Sequence, residues 1–167
     1  MTANALDDDR RMAKEAGMDA HLGKPVEPEK LYETLERLLS AERIYKRRMI
    51  LVVDDIEVNR AVIRESLSDT YAILEAENGA QALAVLEKQG IDAVITDIQM
   101  PVMDGVELIR RIRAEKKYRH IAIIANTQFG EPEQEEALLA LGANDFIYKP
   151  TTPKIVEIRV RNALRKV

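Results

Sequence analysis

ILVVDD at residues 50–55 and IDAVITDIQMPVMDG at residues 91–105 carry the strongest structural signal in this chain of 167 residues. Each stretch begins with an apolar, β-branched run, which is typical of a buried strand in a parallel sheet. Each run ends in acid, at Asp54 and Asp55 in the first stretch and at Asp97 in the second. Ligands of open α/β sheets bind beside the carboxyl ends of the strands. Because three carboxylates gathered there would repel one another, this edge predicts an oxygen-lined site for Mg²⁺.

Apolar runs and helical stretches alternate from residue 49 onward. Candidate strands lie at residues 49–53, 71–75, 93–96, 121–125 and 146–148, and a helix follows each of them. The first helix is expected to bury Val58, Val62 and Leu67. Asn78 is a suitable N-cap for the second helix, and the third helix is expected to begin near Gly105. This alternation indicates a doubly wound α/β fold with a parallel sheet and right-handed crossovers.

Four short motifs stand at the predicted strand ends, in chain order. They are the acid pair at residues 54–55, D-x-x-M-P-x-M-D-G at residues 97–105, Thr127, and Lys149 followed by Pro150. With these motifs, residues 48–167 resemble the receiver domain of bacterial two-component response regulators. The resemblance implies a complete, five-stranded, flavodoxin-like sheet in the order 2-1-3-4-5. A different doubly wound domain, whose acids only cap helices, is the alternative.

The resemblance implies a role for each polar residue at this edge. Asp97 receives a phosphoryl group, since a carboxylate is a competent nucleophile toward phosphorus. Mg²⁺ is held by Asp55, by Asp97 and by the backbone carbonyl of Gln99, while Asp54 acts through a metal-bound water. Lys149 pairs with the phosphoryl oxygens, and the peptide bond that follows it is expected to be cis, as in the family.

Thr127 and Phe146 provide the response to phosphorylation in this resemblance. The threonine hydroxyl moves toward the phosphate and opens space for the aromatic ring, so that added charge biases a two-state element. Gln128 departs from the family, in which a small residue follows the threonine. Its long side chain is expected to obstruct the phosphodonor or to slow the attack of water on phosphorylated Asp97.

Residues 1–25 repeat residues 126–150 without a gap. The matched pairs are Thr2 with Thr127, Gly17 with Gly142, and Lys24-Pro25 with Lys149-Pro150. Residues 1–45 are therefore predicted to be a truncated receiver that keeps only the fourth helix, the fifth strand and the fifth helix. A native helical extension that resembles a receiver by chance is the alternative. The fragment has an apolar stripe, which consists of Leu31, Leu35, Leu38 and Leu39. An exposed stripe of this kind favours packing against the complete domain, or a homodimer that forms through the fragment or through the last helix.

Composition excludes several classes of protein. The chain is 46% hydrophobic and 32% charged, as in an ordinary globular domain. The lack of cysteine rules out a disulfide framework, a zinc–thiolate cluster and a thiol nucleophile, and it fits a cytoplasmic location. No stretch approaches the roughly 20 apolar residues that span a bilayer, so no membrane association is expected. The net charge of −4 gives no reason to expect direct nucleic-acid binding.

The sequence therefore favours a signalling module over an enzyme. This module would be a phosphoacceptor that is phosphorylated by a histidine kinase or a histidine phosphotransfer protein. A receiver-fold scaffold that mainly dimerises, with secondary or no phosphorylation, is the alternative. A Mg²⁺-dependent hydrolase is disfavoured because no further acid or base is placed beside the nucleophile. These residues do not specify the output domain, the cognate kinase or the signal.

Overall fold

The computed structural model describes residues 47–128 and 132–167, and the predicted receiver fragment at residues 1–45 lies outside these described residues. Strands and helices alternate along the described chain. They are β1 (Met49–Val53), α1 (Glu57–Leu67), β2 (Ala72–Ala76), α2 (Gly79–Lys88), β3 (Ala93–Asp97), α3 (Gly105–Ala114), a 3₁₀ turn (Lys116–Tyr118), β4 (Ala122–Thr127), α4 (Pro132–Leu141), β5 (Asp145–Tyr148) and α5 (Pro153–Ala163). The strands form one parallel sheet in the order β2-β1-β3-β4-β5, which confirms the predicted fold. Within the described ranges, no helix is long and apolar enough to cross a membrane.

The predicted strands are confirmed, with small shifts at their ends. β1 has the predicted bounds, whereas β2 begins one residue later than expected and β4 continues beyond residue 125 to Thr127. The additional residues of β4, Asn126 and Thr127, are polar. The strand predicted from the apolar run therefore ended before them. Asn126 is still paired with both neighbouring strands, opposite Asp97 on β3 and Ile147 on β5. The pairing brings polar side chains to the carboxyl edge of the sheet.

Two apolar layers cover the sheet because neighbouring residues of a strand point to opposite faces. Leu51 and Val94 pack in the layer that contains buried residues of α2, α3 and α4. Ile50 and Ile95 pack in the opposite layer, which contains buried residues of α1 and α5. All four side chains are 0% exposed, and burial of such a side chain contributes roughly 1.5–3 kcal/mol. The central strands β1 and β3 are therefore held on both faces, which fixes the positions of the acids that follow them.

The buried face of α1 differs from the prediction. Val58 was expected to point inward, but it is 69% exposed, whereas Ile63 and Leu67 are each 1% exposed. Residues three or four positions apart share a helix face, so the face of Ile63 and Leu67 includes Arg60 and excludes Val58. Arg60 is 7% exposed, and its Nη1 donates a hydrogen bond of 2.7 Å to the backbone carbonyl of Asp54. A charged residue of α1 is thus used to support the end of β1.

Side-chain caps determine where α2 and α3 begin. Asn78 accepts a hydrogen bond from the backbone N–H of Gln81, which confirms the predicted cap of α2. Asp104 accepts a hydrogen bond of 2.8 Å from the backbone N–H of Glu107 at the start of α3. The last acid of the D-x-x-M-P-x-M-D-G motif therefore has a structural role in the cap.

Gly105 allows α3 to begin directly against the end of β3. A Cβ atom at this position would lie 2.1 Å from the carbonyl oxygen of Asp97 and 2.9 Å from the Cα atom of Ile98. Both are backbone atoms, which cannot rotate away as the end of a flexible side chain could. The glycine is therefore required by the close approach of two backbone segments, and this approach keeps the loop after Asp97 compact.

Candidate functional site

Three carboxylates meet at the carboxyl edge of the sheet. Asp54 and Asp55 follow β1, and Asp97 is the last residue of β3; one carboxylate oxygen from each lies within 4.8 Å of the other two. Asp54 is 1% exposed and Asp97 is 8% exposed, while Asp55 is exposed to solvent. The structure thus brings together the three acids that the strand ends predicted, two of them buried and one open to an incoming ligand.

The ammonium group of Lys149 lies between two of these acids. Its Nζ is 2.9 Å from Oδ2 of Asp54 and 2.7 Å from Oδ2 of Asp97. Burial alone would lower the pKa of Lys149, but the hydrogen bonds to Asp97 and Asp54 outweigh burial and raise the pKa above its ordinary value. The ammonium therefore stays charged and offsets part of the negative charge of the cluster. The peptide bond between Lys149 and Pro150 is cis, as predicted.

Asp54 is held by hydrogen bonds to both of its carboxylate oxygens. Oδ1 accepts from the backbone N–H of Ile56 at 2.9 Å and from Nδ2 of Asn59 at 3.0 Å. Oδ2 accepts from Nδ2 of Asn59 at 3.1 Å and from Nζ of Lys149 at 2.9 Å. Charge-assisted bonds of this kind fix a carboxylate in one orientation. These four hydrogen bonds hold the Asp54 carboxylate in a fixed position beside Lys149.

The sequence analysis did not identify Asn59 and Arg60, two residues that support Asp54. Arg60 donates to the carbonyl of Asp54, and its Nε also donates to Glu75 on β2 at 3.2 Å. The signal was present in the sequence, because a charged residue at position 60 lies on the same helical face as Ile63. An arginine on the buried face of a helix requires polar partners, and the nearest ones are at the strand ends.

Asp97 is fixed by the loop that follows it. Its Oδ1 accepts from the backbone N–H of Ile98 at 2.6 Å and from that of Gln99 at 3.3 Å, while its Oδ2 faces Lys149. The backbone N–H of Gly105 donates to the carbonyl of Ile98 at 3.0 Å, which closes the loop. The carboxylate is therefore presented in a fixed orientation, next to a cation and beside the other acids.

A pocket of about 770 Å³ opens beside the acids, between α3 and α4. Its polar end is formed by side chains of the strand ends and loops: Asp55, Asp97, Gln99, Thr127, Gln128 and Lys149. Its apolar end includes Val106 on α3 and Leu138 and Leu141 on α4. The pocket is large enough for a phosphoryl group and the side chain that carries it, and its polar end contains the predicted acceptor, lysine and threonine.

Phe146 lies apart from this pocket. It is partly buried against the layer that contains α2, α3 and α4, and it is not among the residues that line the pocket. Its ring centroid is 5.4 Å from that of Tyr148, which is exposed at the end of β5 and is paired with Thr127 on β4. The structure therefore places Thr127 at the site and Phe146 one strand away, connected through the β4–β5 pair.

The chemistry of the donors fits Mg²⁺. Three carboxylates face one another, and among the described residues the Lys149 ammonium pairs with two of them, so the cluster has an excess of negative charge. All the donor atoms are hard oxygens, which Mg²⁺ prefers, and the exposed position of Asp55 leaves room for the water ligands that this ion retains. Asp55 and Asp97 are the residues best placed to hold the ion directly.

A family model for the response regulator receiver domain matches residues 50–161. The chain belongs to this family. Receiver domains are regulatory domains of two-component systems that bind Mg²⁺ through acidic residues, in agreement with the acid cluster. The family predicted from the sequence is thereby confirmed.

Several proteins are similar to this receiver domain. The chemotaxis protein CheY homolog of Campylobacter jejuni is 37% identical over 118 residues, which cover 69% of this chain and 91% of that protein. A probable cyclic di-GMP phosphodiesterase of Vibrio cholerae is 37% identical over 116 residues, 70% of this chain but 26% of that relative. The structure of the chemotaxis response regulator CheY4 of Vibrio cholerae matches with a TM-score of 0.68 and 29% identity, covering 71% of this chain and 99% of that one.

Proposed function

We propose that this receiver domain accepts a phosphoryl group on Asp97 from a histidine kinase or a histidine phosphotransfer protein. The observation that carries the proposal is the contact of Lys149 with Asp97, at 2.7 Å, inside a cluster of three carboxylates. Two of these acids, Asp55 and Asp97, line the pocket. A nucleophile beside a fixed cation, at a site that fits Mg²⁺, has the arrangement that phosphoryl transfer needs.

The proposed reaction forms one bond and breaks one. A carboxylate oxygen of Asp97 attacks phosphorus, while the bond from phosphorus to the donor nitrogen of a phosphohistidine breaks and the electron pair stays on the imidazole. Phosphoryl transfer depends mainly on alignment and on neutralisation of oxygen charge. Mg²⁺, when bound by Asp55, Asp97 and the backbone carbonyl of Gln99, supplies part of that neutralisation, and the Lys149 ammonium supplies the rest.

The response to phosphorylation is assigned to Thr127 and Phe146. Thr127 lines the pocket that Asp97 faces, so its hydroxyl can reach a phosphoryl group on that acid. Its strand partner Tyr148 contacts the ring of Phe146, which gives a physical route from the hydroxyl to the aromatic residue. Movement of Thr127 toward phosphate would then shift the equilibrium of Phe146 between two packing positions.

A phosphorylation assay with two matched variants tests the assignment. The parent chain, incubated with acetyl phosphate and Mg²⁺, should gain one phosphoryl group by intact mass spectrometry. Asp97→Asn should gain none, because an amide cannot attack phosphorus. Asp104→Asn removes a carboxylate from the same loop but keeps a residue suited to the cap of α3, and it should be phosphorylated like the parent. Phosphorylation of Asp97→Asn would contradict the proposal.

The scaffold alternative is separated from signalling by a phosphate analogue. A phosphoacceptor should bind beryllofluoride with Mg²⁺, and binding should change the near-ultraviolet spectrum of the Phe146–Tyr148 pair. A scaffold without phosphorylation should show no response.

The tandem arrangement and the homodimer remain part of the proposal, since residues 1–45 lie outside the described residues. Deletion of residues 1–45 should leave phosphorylation intact and change the association state measured by light scattering. The proposed location is the cytoplasm, where such a kinase would act.

A further inference from the structure

The row of polar side chains at the carboxyl edge has a member on β4 that the proposed reaction does not use. Val53 pairs with Thr96, so Asp54, which follows β1, and Asp97, the last residue of β3, are level with each other. Asp97 in turn pairs with Asn126. Asn126 therefore continues the row of Asp54 and Asp97 onto a third strand.

Asn126 occupies a position where an apolar residue would be expected. It is 1% exposed, and the two preceding residues on the same face of β4, Ala122 and Ile124, are both 0% exposed. Its Nδ2 has no hydrogen-bond partner among the described residues. A buried polar atom without a partner lowers stability, so the amide is unfavourable for the fold at this position. A residue that opposes folding in this way calls for a role in the site.

The carbonyl end of the same amide is bonded to the segment that carries Lys149. The hydroxyl of Thr151 donates to Oδ1 of Asn126 at 3.2 Å, and Thr151 lies two residues after Lys149. The backbone N–H of Lys149 donates to the carbonyl of Thr127 at 2.8 Å. β4 therefore holds this segment at two points, once through the backbone at Lys149 and once through the side chain of Asn126.

We propose that Asn126 is a positioning residue, which acts through Thr151 to determine where the Lys149 ammonium lies between Asp54 and Asp97. The inference rests on the proposed function, because the position of the ammonium affects a rate only if a phosphoryl group is transferred to Asp97. A lysine side chain is long and flexible, with about 2 kcal/mol of rotamer entropy. Fixing the backbone on both sides of Lys149 narrows the positions its Nζ can reach and keeps it over the acceptor.

Three threonine variants separate this role from a general effect on folding. Thr151→Val removes the hydroxyl at nearly constant shape, and Thr151→Ser retains it. Thr152→Val is the matched control, because the neighbouring Thr152 makes no side-chain capping bond at the start of α5. For each chain, we would measure the phosphorylation rate with acetyl phosphate and saturating Mg²⁺, the Mg²⁺ affinity by calorimetry and the thermal unfolding midpoint.

Loss of the hydroxyl should slow phosphorylation without weakening the metal site. Thr151→Val should react about threefold to tenfold more slowly than the parent, the effect of one net hydrogen bond on a rate. Thr151→Ser and Thr152→Val should react within about twofold of the parent, and the Mg²⁺ affinity of all three variants should stay within about twofold, as expected for substitutions outside the metal ligands. Asn126→Val combined with Thr151→Val should be no slower than Thr151→Val alone, because both changes break the same contact.

The inference is overturned if Thr151→Val reacts at the parent rate, if Thr151→Ser fails to restore the rate, or if the Mg²⁺ affinity falls in proportion to the rate. These results leave phosphorylation of the parent intact, so they reject the role of Asn126 and not the proposed function. A parent chain that takes up no phosphoryl group would overturn both. The threonine variants keep the inference testable even where Asn126→Val does not fold.

Discussion

Lys149→Met removes the cation that contacts both Asp54 and Asp97, and retains a side chain of similar length. The two carboxylates are nearly inaccessible, with side chains 1% and 10% exposed, and the lysine side chain is 14% exposed. Removing one partner of a buried ion pair costs about 3–5 kcal/mol, because the remaining charge is left without compensation. Partial exposure of the lysine places the expected loss at the lower end, about 3 kcal/mol in the absence of metal.

Thermal unfolding with and without Mg²⁺ is the assay for this variant. In EDTA, a loss of about 3 kcal/mol should lower the melting temperature of a domain of this size by roughly 10 °C. Excess Mg²⁺ should remove most of the difference, because the ion and the ammonium neutralise the same carboxylates and repel each other when both are present. The Mg²⁺-induced rise in melting temperature should therefore be larger in Lys149→Met than in the parent.

Lys154→Met is the matched control, since Lys154 is an exposed lysine in the first turn of α5. Its substitution should change stability by less than about 0.5 kcal/mol and should leave the response to Mg²⁺ unaltered. The reasoning would be refuted if Lys149→Met and Lys154→Met melted together in EDTA. It would also be refuted if Mg²⁺ stabilised Lys149→Met no more than the parent.

Three further variants test other parts of the site. Gly105→Ala should lower the free energy of unfolding by about 3 kcal/mol or more in denaturant titration, because its Cβ would meet the carbonyl oxygen of Asp97 at 2.1 Å. The control Gly90→Ala, whose Cβ would have no atom within 4 Å, should change this free energy by less than about 1 kcal/mol. Asp55→Asn should weaken Mg²⁺ binding about tenfold or more in calorimetry, since one charge of the cluster is lost; unchanged binding would remove Asp55 from the ligands. Gln128→Ala should speed dephosphorylation about 5–30-fold if the amide covers the site, and equal rates would show that it points away.

The strand ends were predictable because their signal is local. An apolar run that stops at an acid marks both a buried strand and its carboxyl end, so the amino-acid order of residues 50–55 and 91–105 is sufficient to locate Asp54, Asp55 and Asp97. Lys149 was located through the resemblance to receiver domains, by the Lys-Pro motif that directly follows the short strand at residues 146–148. Their convergence follows from the parallel sheet, in which all carboxyl ends lie at one edge.

The supporting contacts were not predictable in the same way, because they depend on distances between segments far apart in the sequence. Asn59 and Arg60 support Asp54 only because α1 begins at Glu57 and presents the face of Ile63 to the sheet, which also made the inward prediction for Val58 wrong. The role of Asn126 on β4 likewise depends on a contact between distant segments, the register of β4 against β3. The apolar run of that strand stops before Asn126, and only the pairing with β3 shows that the residue lies level with Asp97.

The most direct test of the central claim is to identify the residue that carries the phosphoryl group. The parent chain would be phosphorylated with acetyl phosphate and Mg²⁺, and the acyl phosphate would be reduced with borohydride, which converts the phosphorylated aspartate to a stable alcohol. Peptide mass spectrometry should then find the reduced residue at position 97 alone. Reduction at Asp54 or Asp55, or a phosphoryl group stable to borohydride on another residue, would contradict the assignment of Asp97 as the acceptor.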